Sequence, residues 1–583
     1  MNLFRCAALS LLLLLSPGMA LAASTAPAYL EPATHLPLDA NDAELYGKIF
    51  AYQEKGDLKT ADKLIPKIGN PILMGHVLAQ RYLHPTAYRA KWEELNTWMK
   101  DYSTNADALR IWKLALHRKP DEARDPPSPR VERGIVGSIE DYGFSEEPYQ
   151  STHPRSAAEQ RESEDLFNNI RKLIRSARNT EALGKIDSKE TAKRLDQTER
   201  DMLRTGIAAN FFYGGNIKKA RNLAKEVAER SAAEVPRAAW LAGLTAWHEG
   251  DLKEAASQFR AAAQSEKASP YAKAAAAFWA GRMFLKNREP AEYSRMLAIA
   301  ARYPTTFYGI IASSALGINL HFQWGLPELS PKHIEALSRS NAGKRAIALL
   351  QAGQRQRAEA ELRQIHPRSD RLMSEALLAL AAEADLPALS LQLASALTSP
   401  EGDRYDSALY PLPPWEPEGG YTIDQPLLFA FMRQESRFDP RARNTSSGAS
   451  GLMQILPRTA RSLDGKAYNG SSRYELYHPE TNIDLGQKYV SWLLDHPSVG
   501  GDLFKLAIAY NAGPGNLTRW LSSIPKGDDP LTFIETIPGA ETRTFVQRVL
   551  TNLWIYRLRL GEETPSLRDI AEGRWPSYTH PEK

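Results

Sequence analysis

The sequence predicts an all-α protein, a long array of paired helices followed by a smaller helical module, and three observations carry that reading. From about Asn41 to Leu397 the chain is alanine-rich, with apolar residues at helical spacing and few strand signals. Four short segments inside that stretch share one local form and join one amphipathic run to the next. Residues 411–420, PLPPWEPEGG, then break the pattern with prolines and glycines, and the texture beyond them is richer in glycine, aromatics and polar motifs.

The N-terminus comes first. Residues 1–22, MNLFRCAALSLLLLLSPGMALA, have a basic start at Arg5, a short apolar run from Ala7 to Leu15 and small residues at Ala20 and Ala22. That pattern predicts a signal peptide, and the run is too short to span a bilayer. Cys6 is the single cysteine of the sequence and lies before the apolar run. Removal of the peptide leaves a cysteine-free chain, which excludes disulfides, thiolate catalysis and cysteine–metal sites. The alternative is a buried N-terminal helix.

The four joints of the array are Gly56-Asp57-Leu58, Gly215-Asn216-Ile217, Gly250-Asp251-Leu252 and Gly353-Gln354-Arg355, each with an alanine three residues further on. A glycine tolerates the left-handed turn that ends a helix, Asp or Asn caps the next one, and a small alanine lets the pair pack closely. Gly215 and Gly250 are 35 positions apart, near the period of a tetratricopeptide-like hairpin. Such hairpins stack into an α-superhelix, the alternative being helical hairpins with no shared repeat. Residues 119–130, KPDEARDPPSPR, interrupt the array as an irregular loop. The expected organisation is a signal peptide at 1–22, an α-superhelical domain at 23–325, a helical linker domain at 326–410 and a C-terminal domain at 411–583.

Composition narrows the function classes. The 583 residues are 43% hydrophobic and 24% charged, which excludes wholesale disorder, a collagen-like fibre and a polytopic membrane protein. A net charge of +4 over that length gives a nucleic-acid partner little support. The 12 histidines show no HExxH or comparable ligand spacing, and no phosphate-binding glycine motif occurs, so neither a metal nor a cofactor is expected.

Chemistry enters after residue 420. Asp424 is placed to cap a helix, Pro426 fits its first turn, and Asp439-Pro440 is expected to end it. Leu428, Phe431, Met432, Glu435 and Phe438 recur on one face, so Glu435 sits within an apolar stripe. A carboxyl group there is either desolvated, with a raised pKa suited to proton donation, or a glutamate near the helix end that reaches solvent or pairs with Arg433 or Arg437. Gly448 to Pro457 form a glycine-containing loop in which Gln454 offers both a donor and an acceptor. Ala509-Tyr510-Asn511-Ala512-Gly513 ends an apolar helix with a phenol and an amide. Ile537 to Val546 open another helix with Glu541 and Arg543 in its first turns.

These four segments resemble, in order, the motifs of the family 1 lytic transglycosylases: Glu435-Ser436-Arg437-Phe438, Gly451-Leu452-Met453-Gln454, Ala509-Tyr510-Asn511-Ala512-Gly513 and Glu541-Thr542-Arg543. The resemblance covers about residues 424–560. It implies a lysozyme-like α domain at the C-terminus and cleavage of the β-1,4 bond between N-acetylmuramic acid and N-acetylglucosamine in peptidoglycan, leaving a 1,6-anhydromuramoyl end. By position, Glu435 would be the single catalytic acid/base. Gln454, Met453, Tyr510, Asn511 and Glu541 would line or shape the substrate cleft. Thr445 stands where the family usually has a serine, with Ser446 and Ser447 beside it, so Thr445 and Ser446 are the candidate hydroxyls near Glu435. Phe545 replaces a tyrosine common in the family.

The resemblance further implies a periplasmic enzyme with no cofactor, no metal and no integral membrane segment. Peptidoglycan glycan strands would be its substrate and other periplasmic cell-wall enzymes its protein partners. Two alternatives stand beside this expectation: a hydrolytic, lysozyme-like muramidase, and an inactive helical-array scaffold that binds peptidoglycan.

Overall fold

The computed structural model describes residues 27–30, 36–132, 134, 149–367, 370–397, 404–470, 472–523 and 529–579. The expected signal peptide at 1–22 lies outside the described residues. Among the described residues the protein is built of α-helices and short 3-10 helices, and strand-like pairing is confined to isolated bridges such as Arg443–Ser450 and Ser450–Ile455. No helix among them is long and apolar enough to cross a membrane.

The glycine joints adopt the expected conformation. Gly56, Gly215, Gly250 and Gly353 all have positive φ, between 72° and 82°. Asp57, Asn216 and Asp251 each accept the backbone N–H three residues on and so cap the following helix, whereas Gln354 makes no such cap. Ala61, Ala220, Ala255 and Ala358 are buried in the helix contacts. Residues 119–130 form no helix, as expected from their prolines.

The chain divides into two compact units. One comprises the described residues within 1–135 and 327–386. Gln351 closes it from the far end of its sequence by exchanging two hydrogen bonds with the backbone of Leu38, at 2.8 and 3.1 Å. Within it, Glu361 is fully buried yet holds Arg345 at 2.7 Å, His76 at 3.0 Å and the Ala106 N–H at 2.9 Å. Several partners on one carboxylate offset the cost of burying its charge.

The other unit comprises the described residues within 136–326 and 387–583, and it contains the chemistry-bearing motifs. Successive hairpins from Gln197–Tyr213 to Pro290–Ala301 pack each on the next, and Phe307–Ala315 follows. At the centre of the C-terminal part lies Ala540–Arg559, buried on nearly all sides between Val546 and Arg557. The Phe307 ring stacks on Trp554 at 5.6 Å and lies 6.1 Å from Phe504, so the last array helix contributes to the core around Ala540–Arg559. Burying one such ring contributes about 1.5–3 kcal/mol.

Two local expectations are corrected here. Asp424 precedes the Gln425–Glu435 helix but makes no side-chain cap; its carboxylate meets Arg557 at 2.9 Å in the interior. The helix also stops at Glu435, not at Asp439-Pro440, because Arg437 (φ 55°) and Phe438 (φ 63°) turn left-handed.

Candidate active site

The early helix end decides where Glu435 sits. Leu428, Phe431 and Met432 on the same helix are buried, and Glu435 follows them as the last helical residue, half-buried. The next residue, Ser436, bonds back to the Met432 carbonyl at 3.2 Å, and Phe438 turns fully into the core. Two successive left-handed residues that are not glycine cost about 1–3 kcal/mol each, a strain characteristic of functional sites.

No described residue donates a hydrogen bond or forms an ion pair with the Glu435 carboxyl. Arg433, one of the two expected partners, points elsewhere: its guanidinium bonds the Leu409 carbonyl and Asn552, both at 2.9 Å, and lies over the Tyr410 ring. Burial, reinforced by the nearby Glu541 carboxylate, pushes the Glu435 carboxyl up to about 8. A carboxyl group in that state keeps its proton at neutral pH and is suited to donate it.

Tyr510 faces the same space from Leu503–Ala512. Its ring stacks on Phe431 at 4.4 Å, and its phenol donates to the Met453 carbonyl at 2.7 Å rather than to Glu435. Burial, with the Glu435 charge as the next cause, holds this phenol well above its usual pKa, so it remains a neutral donor. Tyr510→Phe removes one buried hydrogen bond and is expected to lower unfolding stability by about 1–2 kcal/mol in a urea titration. Unchanged stability would argue that this bond contributes nothing to holding the loop.

The loop across from Glu435 is fixed mainly by its backbone. Asn482, fully buried on Pro479–Asp495, accepts the Met453 N–H at 2.8 Å and donates to the Ser450 and Leu476 carbonyls at 3.0 and 2.8 Å. Gly451 has φ 80°, and a Cβ there would stand 2.2 Å from both Asn482 Nδ2 and the Leu476 oxygen, so only glycine fits. Gln454, itself left-handed at φ 48°, donates to the Gly451 and Ala442 carbonyls at 2.9 and 3.2 Å.

Several expected cleft residues lie elsewhere than in direct reach of a ligand. Met453 is fully buried, packed so tightly on Gly486 that an added Cβ there would stand 2.0 Å from its sulfur. It shapes the loop through its backbone and presents no side-chain surface. Thr445, Ser446 and Ser447 are exposed at a turn in which Asn444 Oδ1 accepts the N–H groups of Ser446 and Ser447 at 3.0 Å. None of the three hydroxyls is bonded to Glu435. Asn511 accepts the Thr542 hydroxyl at 2.7 Å and thereby ties Leu503–Ala512 to the first turn of Ala540–Arg559. Glu541 is exposed in that first turn, close enough for its charge to raise Glu435. The structure thus groups Glu435, Tyr510, the Met453-Gln454 backbone and Glu541, and leaves Thr445 and Ser446 on an outer turn.

Sequence reading missed Asn482 and an aromatic series running outward from Tyr510. Tyr489 lies 5.2 Å from Tyr510, and Trp492, 49% exposed, stacks parallel to Tyr489 at 6.0 Å. The criterion that singled out Glu435, a polar residue among buried apolar neighbours on a helix, would also have found Asn482 beside Ile483 and Leu485. No group of three or more His, Cys, Asp or Glu among the described residues could hold a metal ion.

Comparisons with known proteins agree with this geometry. Residues 415–531 match the family model of the transglycosylase SLT domain. Over 159 residues the chain is 36% identical to the soluble lytic murein transglycosylase of Escherichia coli K12, an alignment covering 26% of this chain and 23% of that relative. It is 34% identical over 151 residues to the membrane-bound lytic murein transglycosylase C of Photorhabdus laumondii, covering 22% of this chain and 42% of that one. The matched part thus spans about a quarter of the length of the soluble relative. Across most of the chain the fold is similar to that of an inactive glutamate-to-glutamine mutant of the lytic transglycosylase Slt from Pseudomonas aeruginosa. That match has TM-score 0.54 and 20% identity, and covers 91% of this chain and 81% of that one. The 70 kDa soluble lytic transglycosylase of Escherichia coli aligns with TM-score 0.51 and 18% identity, over 92% of this chain and 99% of that one. At these identities the likeness shows the fold, an all-α array joined to a lysozyme-like domain.

Proposed function

From a chain whose residues 415–531 match the transglycosylase SLT domain, we propose a peptidoglycan lytic transglycosylase that acts in the periplasm with Glu435 as its single acid/base. One observation carries the reading: a half-buried carboxyl, without a partner among the described residues and pushed up to about 8, at the end of a helix that Tyr510 joins to a glycine-built loop.

The chemistry follows from that state. Protonated Glu435 donates to the glycosidic oxygen as the bond from muramoyl C1 breaks, and N-acetylglucosamine leaves as an alcohol. The muramoyl N-acetyl group stabilises the cationic C1. Glu435, now a carboxylate, takes the proton of the muramoyl C6 hydroxyl while that oxygen closes on C1. One bond breaks, one forms, the proton returns to Glu435 and no water is consumed. An ordinary glycosidase instead needs a second carboxylate as nucleophile or water activator.

Tyr510 and the Met453-Gln454 backbone shape the wall of the cleft, and burial, reinforced by the Glu541 charge, keeps Glu435 protonated. Mass spectrometry of muropeptides released from intact sacculi tests the reading. Products ending in 1,6-anhydromuramic acid are expected. Reducing muramic acid ends with no anhydro form would make the protein a hydrolytic muramidase, with Glu541 the obvious water activator. Binding without digestion would make it a scaffold.

A further inference from the structure

Among the described residues, Glu541 is the group from another helix whose charge raises Glu435, and the segment that carries it is held by the helical array. The segment begins at Asp529, which caps Pro530–Thr536 and pairs with Arg282 of Pro270–Lys286 at 2.5 Å. At the other end of that short helix, Glu535 is buried and accepts the Tyr308 hydroxyl of Phe307–Ala315 and, at 3.0 Å, the Gln547 amide. The linker Ile537-Pro538-Gly539 follows. Arg543 donates to the Ile537 and Pro538 carbonyls and lays its guanidinium over the Tyr213 ring at 3.8 Å. Tyr213 closes the helix Gln197–Tyr213, and it, Arg282 and Tyr308 all belong to the helical array.

The need for such anchors is visible in the segment itself. Gly539 offers no side-chain cap to Ala540–Arg559, so the first turn carrying Glu541 has little of its own to hold it. From the domain's side the Thr542–Asn511 bond reaches that turn, and the Trp520 ring packs against Gly539. An arginine stacked on an aromatic face while donating to two carbonyls fixes both the linker and the helix start, because its planar fork loses little freedom on binding.

We propose that the array is a positioning frame for the reaction. Tyr213 and Tyr308, together with Arg282, set the place of Glu541 through Arg543, Glu535 and Asp529. The titration of Glu435 reports that placement. These are positioning residues: none of them touches the acid. The proposal rests on the functional reading above only for its meaning in catalysis, since the placement of Glu541 relative to Glu435 is a property of the protein without substrate. The charged and titratable groups facing Glu435 are Glu541 from Ala540–Arg559 and Tyr510 from Leu503–Ala512, with Tyr489 of Pro479–Asp495 behind Tyr510. Tyr510 stays neutral in the working range, so Glu541 is the group whose displacement Glu435 would register.

The test uses the full chain labelled with 13C at the glutamate side-chain carboxyl, with the Glu435 signal assigned by its loss in Glu435→Gln. Tyr213→Leu removes the ring face and is expected to lower the titration midpoint of Glu435 by about 0.5–1 pH unit, because a like charge has moved away. Tyr213→Phe keeps the ring and should titrate like the wild type. In a Glu541→Gln background, Tyr213→Leu should produce no further change. Tyr308→Phe, which deletes a single hydroxyl, gives the same comparison with minimal risk to folding and should move the midpoint in the same direction by a smaller amount. An unmoved midpoint in both Tyr213→Leu and Tyr308→Phe overturns the proposal. So does an equal shift with Glu541 already removed. Sacculus turnover measured on the same samples separates the two claims: a wild type that titrates as expected but digests nothing defeats the functional reading and leaves the positioning result standing.

Discussion

Glu435→Gln is expected to lower sacculus digestion by about 10²–10⁴-fold, the range that a positioned general acid supplies, while sacculus binding persists. Glutamine occupies the same space and offers hydrogen bonds but cannot give or take the proton that both half-reactions pass through Glu435. The pH dependence follows from the raised pKa. Activity requires the protonated carboxyl, so the rate should fall as pH rises through about 8 and should hold through neutral pH.

The sign for stability runs the same way. The fold binds the Glu435 proton more tightly than the unfolded chain does, so its contribution is fully present below the ordinary carboxylate range and is lost as pH rises through about 8. A neutral glutamine escapes that loss. The variant should therefore be at least as stable as the wild type at pH 9, measured by thermal melting, and its inactivity cannot then be ascribed to unfolding. Turnover of Glu435→Gln within tenfold of the wild type would remove Glu435 from the mechanism.

What could be read from sequence was what a single residue type enforces locally. Gly56, Gly215, Gly250 and Gly353 had to mark helix joints because the left-handed turn excludes most side chains. Glu435 was visible because a carboxylate among Leu428, Phe431 and Met432 contradicts the apolar stripe. The helix end was not visible: Arg437 and Phe438 are ordinary residues, and only the packing of Phe438 into the core makes their left-handed backbone worthwhile. Asp424 read as a cap because that is its local use, but the Arg557 charge, more than a hundred positions away, claims it. The candidate hydroxyls at Thr445 and Ser446 were placed by motif alignment, which carries no information about which way a turn faces. The approach of Glu541 to Glu435 is likewise a tertiary fact. Tyr213 and Tyr308, which anchor the Glu541 segment, are in sequence the end of one array helix and the start of another.

Asn482→Ala should cost about 2–4 kcal/mol of unfolding free energy in a denaturant titration. The asparagine satisfies three buried backbone groups at once, the Met453 N–H and the Ser450 and Leu476 carbonyls, with no exposed surface of its own. Alanine leaves the Met453 N–H and the Leu476 carbonyl without that partner, while the Ser450 carbonyl keeps the Ile455 N–H at 3.1 Å; buried unsatisfied groups cost about 1–3 kcal/mol each before relaxation reduces the total. Met453→Leu makes the informative contrast. If Met453 acts through its backbone, a side chain of similar volume should cost less than about 1.5 kcal/mol and leave turnover near the wild-type level. If instead its thioether contacts the glycan, turnover should fall with stability preserved. The two variants thus separate a loop held by Asn482 from a loop that binds through Met453. A stable Asn482→Ala protein with normal digestion would show that the wall opposite Glu435 does not depend on this amide.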